Sequence, residues 1–458
     1  MVLDEFLHTH NLNPELQPHR RSSSRMLRQE KEKEEKKDEK EKKNDEGQAV
    51  VQVHSKWNHI HLCVVCVLLG VSLITLLDGC RSSSEPWLLL SSAGSVWDWS
   101  SVSVVLLFTG LQAALYHLPA GRVTEGKMGC NGERLKYKLN GVYAFLLSAG
   151  VCCALWFCGV LRAGDVTDRL FSLVSAGMAV SLLLSLALVL CPVNTHTSAQ
   201  VHYDNTASPL LKFILGQNMD PHVGIIDVKH FVMVRIGFIG WAMMDLIYLL
   251  TAIESRSSLS LSLVLVIAFH LIYILDFLID EGSVLTTKEF TDEPIGFIMI
   301  LGEFIWIPFF SSLPVYFLLQ RPNHMPVLWA APICLLFGIG FLIYYLSNEQ
   351  KDGFRRNPSD PAYTGLQTIR SPSGRPLLVS GWFGWVRHPN YLGDILMMLA
   401  WCLPCGFTSL LPYLPALQCA NLLRQRANEI EGACLEKHGH AWREYCRRVP
   451  YKLVPHVY

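Results

Sequence analysis

Charge is scarce in this sequence. Asp, Glu, Lys and Arg make up 17% of its 458 residues, against roughly 25% in soluble domains. Together with a hydrophobic share of 50%, this argues against a string of soluble domains. The formal net charge is zero, and no nucleic-acid partner is expected. The usual nucleotide signatures are missing: no GxGxxG follows a strand pattern and there is no P-loop, so any bound nucleotide is held without a Rossmann domain. Fourteen cysteines are present, mostly inside apolar runs. No CxxC pair is matched by a second pair or by His at zinc spacing, and "CVVC" (Cys63 to Cys66) reads as buried thiols, so no metal site is expected. No secretory signal opens the chain, and the first apolar run reads as an internal anchor.

What the chain has is long apolar runs. A helix needs about 20 apolar residues to cross the hydrocarbon. Candidate spans are 59–78, 99–118, 140–161, 170–192, 231–253, 259–279, 295–319 and 327–346, followed by two shorter ones, 391–407 and 408–423, divided by Pro404, Gly406, Pro412 and Pro415. The expectation is an all-α, polytopic membrane protein with about ten transmembrane helices. An even count puts both ends on one side. The basic stretches "HRRSSSRMLR" and "WREYCRRVPYK" assign that side to the cytoplasm. Residues 1–56 hold the Lys/Glu tract "RQEKEKEEKKDEKEKKNDEG" and read as a disordered cytoplasmic tail open to a protein partner; residues 57–458 form the membrane domain.

Polar residues inside apolar runs need a reason. Asp245, Asp276, Asp280 and Glu303 fall in or beside spans, where charge is costly and faces a cavity or a partner. Tyr273, Asp276 and Asp280 recur at i, i+3 and i+7, which stacks them on one helix face. Such a face can deliver a proton inside an apolar cavity; helix-to-helix hydrogen bonding is the plainer alternative. Further on, "SNEQKDGFRRNPSD" sets Lys351 and Arg355 on one face, with Arg356 beside them, before Asn357-Pro358 stops the helix. These cations suit phosphate, and equally suit a loop kept cytoplasmic by its charge. "SGWFGWVRHPNYLGD" (Ser380 to Asp394) crowds aromatic rings around Arg387, His388 and Asn390. "LLRQRANEIEGACLEKHGHAWREY" adds Arg424, Arg426, Glu429 and Glu431.

From about Tyr116 onward these motifs resemble the sterol reductases of the endoplasmic reticulum and inner nuclear membranes, a group that includes the sterol C14-reductases and the membrane half of the lamin B receptor. The resemblance rests on "HLPAGRVTEG", "RLKYKLNGVYAFLL", "VLTT", "NEQKDGFRRNPSDP", "LLVSGWFGWVRHPNYLGDILMMLAWCLPCGF" and "EYCRRVPYKLVPHVY". It implies a ten-helix enzyme of those membranes that uses NADPH, bound in a C-terminal pocket open to the cytoplasm, to reduce a sterol ring double bond, most closely the C14 bond of cholesterol biosynthesis. It places Lys351, Arg355 and Asn357 at the phosphate and adenosine end of the cofactor. Trp382, Arg387, His388, Asn390 and Tyr391 are placed at the ribose, pyrophosphate or nicotinamide, and Asp394, Arg426 and Tyr445 complete the cofactor set. Sterol and membrane lipid are the implied partners.

The chain departs from the family pattern elsewhere. "GQNMDPH" (Gly216 to His222) stands for "GRELNPR", Met233 replaces the acid of "ELRPG" while Arg235 remains, and Ser311 stands where Tyr is expected. Ile279 to Gly282 replace a Trp, an Asn and two acids, and Ile430 stands where an Asp is expected. An isolated alkene resists hydride, so reduction needs an acid at one carbon and the nicotinamide at the other. Tyr273 is the first candidate donor and Asp276 the next, with Glu431 or Glu429 polarising the network in place of the missing Asp. Two alternatives are a scaffold like the lamin B receptor and a membrane methyltransferase using S-adenosylmethionine, which shares a similar "RHPNY" turn.

Overall fold

The computed structural model describes residues 96–128, 134–190, 208–255 and 259–457 apart from single positions between 359 and 375, plus a few residues at 51–53, 73, 77, 194–195 and 201–203. The charged tail and most of the first expected span lie outside the described residues, although Leu73 and Leu77 are helical and buried.

Among the described residues six helices are long and apolar enough to cross a membrane: α1 (Trp99–Tyr116), α3 (Leu170–Leu190), α4 (Val228–Glu254), α5 (Leu261–Ile279), α6 (Phe297–Gln320) and α7 (Val327–Arg356). Between α1 and α3 runs a shorter apolar helix, α2 (Gly141–Phe157). Large apolar side chains such as Leu107, Leu146, Phe157 and Leu183 point outward. Such a surface suits hydrocarbon and would be costly in water. The protein is a polytopic membrane protein.

Helix ends follow local chemistry. Asp98 caps α1 by accepting from the Ser100 amide at 3.1 Å, and Ser260 caps α5 by accepting from the Leu263 amide at 3.1 Å. Asp227 caps α4 through the amides of Lys229 and His230 at 2.9 and 3.0 Å. Each cap satisfies a donor that has no partner within the helix. The seventh helix runs ten residues past its expected end at Leu346, because its last turns are polar but still helical; it stops at Asn357, ahead of Pro358. The C-terminal apolar stretch divides as expected but unequally. Helix α8 (Pro389–Cys402) gives way to turns around Pro404 and Pro412, with Gly406 at φ +76°. Then come α9 (Leu414–His438), apolar only in its first half, and α10 (His440–Arg448).

Two details position the site. Helices α7 and α8 cross at bare backbone: a Cβ on Gly393 would lie 2.7 Å from the Gly340 carbonyl oxygen, and one on Gly340 would lie 2.9 Å from that of Gly393. Small residues allow such an approach inside a membrane. Second, α4 and α6 each contain a π-helical stretch, Val232–Phe238 and Gly302–Phe310, and these pack together. An added Cβ on Gly237 would collide with the Glu303 carboxylate. A π stretch turns side chains out of ordinary register.

The expectation of an all-α chain needs one correction. Short antiparallel strands, β1 (Arg122–Met128) and β2 (Arg134–Leu139), link α1 to α2 on the polar face. They tie into the bundle through Asn140, which accepts from the buried Arg235 guanidinium; that guanidinium also lies 5.5 Å from the Tyr116 ring. The loop between β2 and α2 thereby fixes the start of α4.

Candidate functional site

The cations expected from the sequence gather where α7 ends and α8 begins. Arg387 is buried and held from three sides. It donates to the Glu431 carboxylate, to Cys446 Sγ at 3.0 Å and to the Pro450 carbonyl at 2.8 Å. Its backbone amide donates to Tyr451 O at 3.0 Å, and that of His388 to Lys452 O at 2.9 Å. The end of the chain therefore folds back and braces the "RHPNY" turn. Pro389 at the first helical position of α8 has no amide to lose there. His388 stacks on Tyr391 with ring centroids 5.0 Å apart. Burial first, then the charges of Arg387, Lys351 and Lys452, push the His388 imidazole down to about 4, so it is neutral at physiological pH.

Around this turn, Lys351 and Asn390 both donate to Asn348, at 3.0 and 3.3 Å. Gln350 accepts from the Trp382 amide at 3.0 Å and pins the aromatic turn to α7. Arg355 and Asn357 are exposed at the end of α7. Tyr445 donates to Phe383 O at 2.9 Å, so its hydroxyl is spent on the same turn. Arg426 sits apart, pairing with Glu289 at 2.7 Å and Glu293 at 3.6 Å.

The second group lies inside the bundle. Tyr273 of α5 is boxed by Trp241 (centroids 6.0 Å), Trp401 (5.5 Å) and Tyr344 (6.4 Å). Asp394 of α8 and Asp276 are both close enough to act on it electrostatically. One turn before Tyr273, His270 Nδ1 lies 2.9 Å from Asp245 Oδ2 of α4, with both side chains wholly buried.

The structure thus rearranges the residues picked from the sequence. Tyr273 and Asp276 share one cluster with Asp394, which the resemblance had put in the cofactor set. Glu431, expected in the proton network, is instead the counter-ion of Arg387 and Lys452, the latter at 2.5 Å. The reason is the fold-back after Gly439, which brings Lys452 to α9. Sequence reasoning missed His270, Trp241, Trp401 and Tyr344. The only signal for His270 was a histidine one turn from Tyr273 in an apolar run, and a lone core histidine gives the same signal.

Arg387 Nε and His388 Nε2 are buried without a hydrogen-bond partner. With Lys351 and Arg355 nearby, this donor set suits the phosphates and ribose of NADPH, the cofactor the resemblance implies. A separate cavity of about 250 Å³ opens between the polar ends of α3 and α6, lined by Leu188, Phe213, Gln217, Asn218 and Phe297 among others. It contains none of the residues above, but it does contain the altered "GQN" stretch.

Comparison with known proteins agrees over nearly the whole chain. The Ergosterol biosynthesis ERG4/ERG24 family matches residues 55–458. A delta(14)-sterol reductase of Mus musculus is 41% identical over 401 residues, covering 87% of this chain and 96% of its own. One from Schizosaccharomyces pombe is 31% identical over 386 residues, 83% of this chain and 90% of its own. A delta(14)-sterol reductase of Gallus gallus is 38% identical over 367 residues, 80% of this chain but 58% of its own length.

Proposed function

Because the chain belongs to the ergosterol biosynthesis ERG4/ERG24 family, we propose that it reduces the C14 double bond of a sterol, with NADPH as hydride source, in the endoplasmic reticulum or inner nuclear membrane. The reductase unit is residues 57–458, a ten-helix arrangement whose cofactor pocket opens to the cytoplasm. The observation that carries this reading is the first turn of α8. Asn390 and Tyr391 follow directly on Arg387 and His388, and Asp394, one turn on, is close enough to Tyr273 to act on it electrostatically. One rigid turn therefore sets the cofactor groups and the proton groups at a fixed spacing, as delivery to two ends of one double bond demands.

The roles divide accordingly. Arg387, Lys351 and Arg355 bind the cofactor's phosphates, and Trp382, His388, Asn390 and Tyr391 its ribose and ring. NADPH, when bound, supplies the hydride. Tyr273 donates the proton to the alkene, with Asp394 and Asp276 orienting its hydroxyl. The aromatic box keeps water from the carbon that becomes cationic.

The test is to purify the full chain, supply a Δ14 sterol and NADPH, and identify the product, while titrating NADPH and S-adenosylmethionine for binding. Reduced sterol with tight NADPH binding is expected. Binding of S-adenosylmethionine alone would replace this reading with methyl transfer. NADPH binding with no sterol reduced would leave a scaffold.

A further inference from the structure

We propose that His270 and Asp245 form a buried proton-holding pair that reloads Tyr273 after each turnover; this rests on the reading of Tyr273 as the donor. The geometry is specific. Asp245 of α4 and His270 of α5 meet at 2.9 Å, both at 0% exposure. The imidazole lies edge-on to Trp241 and to Trp401, with centroids 4.9 Å away in each case. These are the same two indoles that flank Tyr273. His270 and Tyr273 thus occupy one aromatic box, one helical turn apart. His270 Nε2, on the ring edge away from Asp245, has no hydrogen-bond partner; neither has Trp401 Nε1.

Burial decides what the pair holds. An isolated charge at the centre of a membrane bundle is costly, so the resting pair is net neutral. Two of the proton arrangements that meet that condition load Nε2: imidazolium beside carboxylate, or neutral imidazole accepting from the carboxylic acid through Nδ1. Nε2 bears a hydrogen in both. The pair therefore presents a transferable proton to the box, whereas a hydrogen bond that only joins helices would need no ionisable partners.

The step balances. The Tyr273 O–H bond breaks as a C–H bond forms on the sterol, and hydride from the bound cofactor completes a neutral product. The phenolate then takes the Nε2 proton, directly or across one water. The pair is left one proton short, with a single negative charge. Because that charge is unfavourable in place, the pair takes up a proton from solvent before the next cycle.

Rapid-quench measurement on full-length protein preloaded with NADPH and then mixed with excess Δ14 sterol separates the first turnover from the steady state. His270→Gln should keep the first turnover within about twofold, because Tyr273 starts protonated, while the steady-state rate falls by about tenfold or more. Asp245→Asn should give the same split. Equal loss in both phases, or loss in neither, would overturn the proposal and leave a structural contact. If His270→Gln does not fold, Asp245→Asn is read by the same two criteria. Tyr273→Phe is run alongside: should it turn over normally, the donor assignment itself has failed, which the split in the other variants cannot mimic.

Discussion

Two polar regions of this molecule brace buried charge to different degrees. Around Arg387 the chain holds the guanidinium itself and leaves Arg387 Nε and His388 Nε2 unpartnered. Glu431, Cys446 and the Pro450 carbonyl hold the guanidinium, and Lys452 meets the same glutamate. In the bundle centre the provision is thinner. Asp245 and His270 have each other, but His270 Nε2 and one oxygen of Asp394 have no partner. A polar group buried without a partner costs about 1–3 kcal/mol, and a membrane interior offers no water to recover it. Both regions keep hydrogen-bonding capacity for something that enters. The first is held by several partners around its charge, and the central one by the single contact between Asp245 and His270.

The sharpest way to break this comparison is to remove the proposed donor. Tyr273→Phe leaves the aromatic box filled and deletes one hydroxyl. Turnover should fall by about 10²–10⁴-fold, with NADPH affinity unchanged by calorimetric titration. A loss of NADPH binding would mean that the two regions are not separable. Next in size is Arg387→Ala, which removes a charge-assisted contact worth roughly 1.5–3 kcal/mol. The NADPH dissociation constant should rise by about 10–100-fold, with the protein still extracted from membranes as a folded species. Normal affinity in that variant would move the phosphate site elsewhere.

The fold was legible where a single run of residues decides it. The apolar stretches that became α1 and α3 to α6 are close to where the sequence put them, because hydrocarbon length selects them. The extra turns of α7 were legible only as a helix face, with Lys351 and Arg355 aligned before Asn357-Pro358, because the apolar run that marks the span ends at Leu346. The cations Lys351, Arg355 and Arg387 stood out as charges beside apolar runs. Their counter-ions did not: Glu431 meets Arg387 through the packing of α9 on α8, and Lys452 joins them because the chain folds back after Gly439. The sequence separation of 25 between Asp245 and His270 fits no period linking them, and only the packing of α4 on α5 brings them together. The glycines at 340 and 393 look ordinary until two helices cross on them.

Glu431 tests the division directly. As a brace, its change to Gln should weaken NADPH binding by only a few-fold, roughly 1 kcal/mol for one ion pair with Lys452 nearby, and leave turnover at saturating NADPH unchanged. A large fall in saturated turnover would return Glu431 to the proton path, as the sequence alone suggested.

The smallest effect is expected at the edge of the braced region, and it is an effect of pH. His388 is held near 4 in the folded protein against about 6.5 when unfolded. Between those values the unfolded chain binds a proton that the folded chain refuses, so stability must fall as pH falls through this window. The contribution of His388 is fully present above about 6.5 and lost by about 4. The measurement is a thermal midpoint series from pH 7.5 down to pH 4 in one detergent, on the wild type and on His388→Gln. The variant should show a shallower decline, because its side chain keeps a hydrogen-bonding amide and does not titrate. If His388→Gln declines as steeply as the wild type, the neutral buried imidazole is not what makes the braced region sensitive to acid.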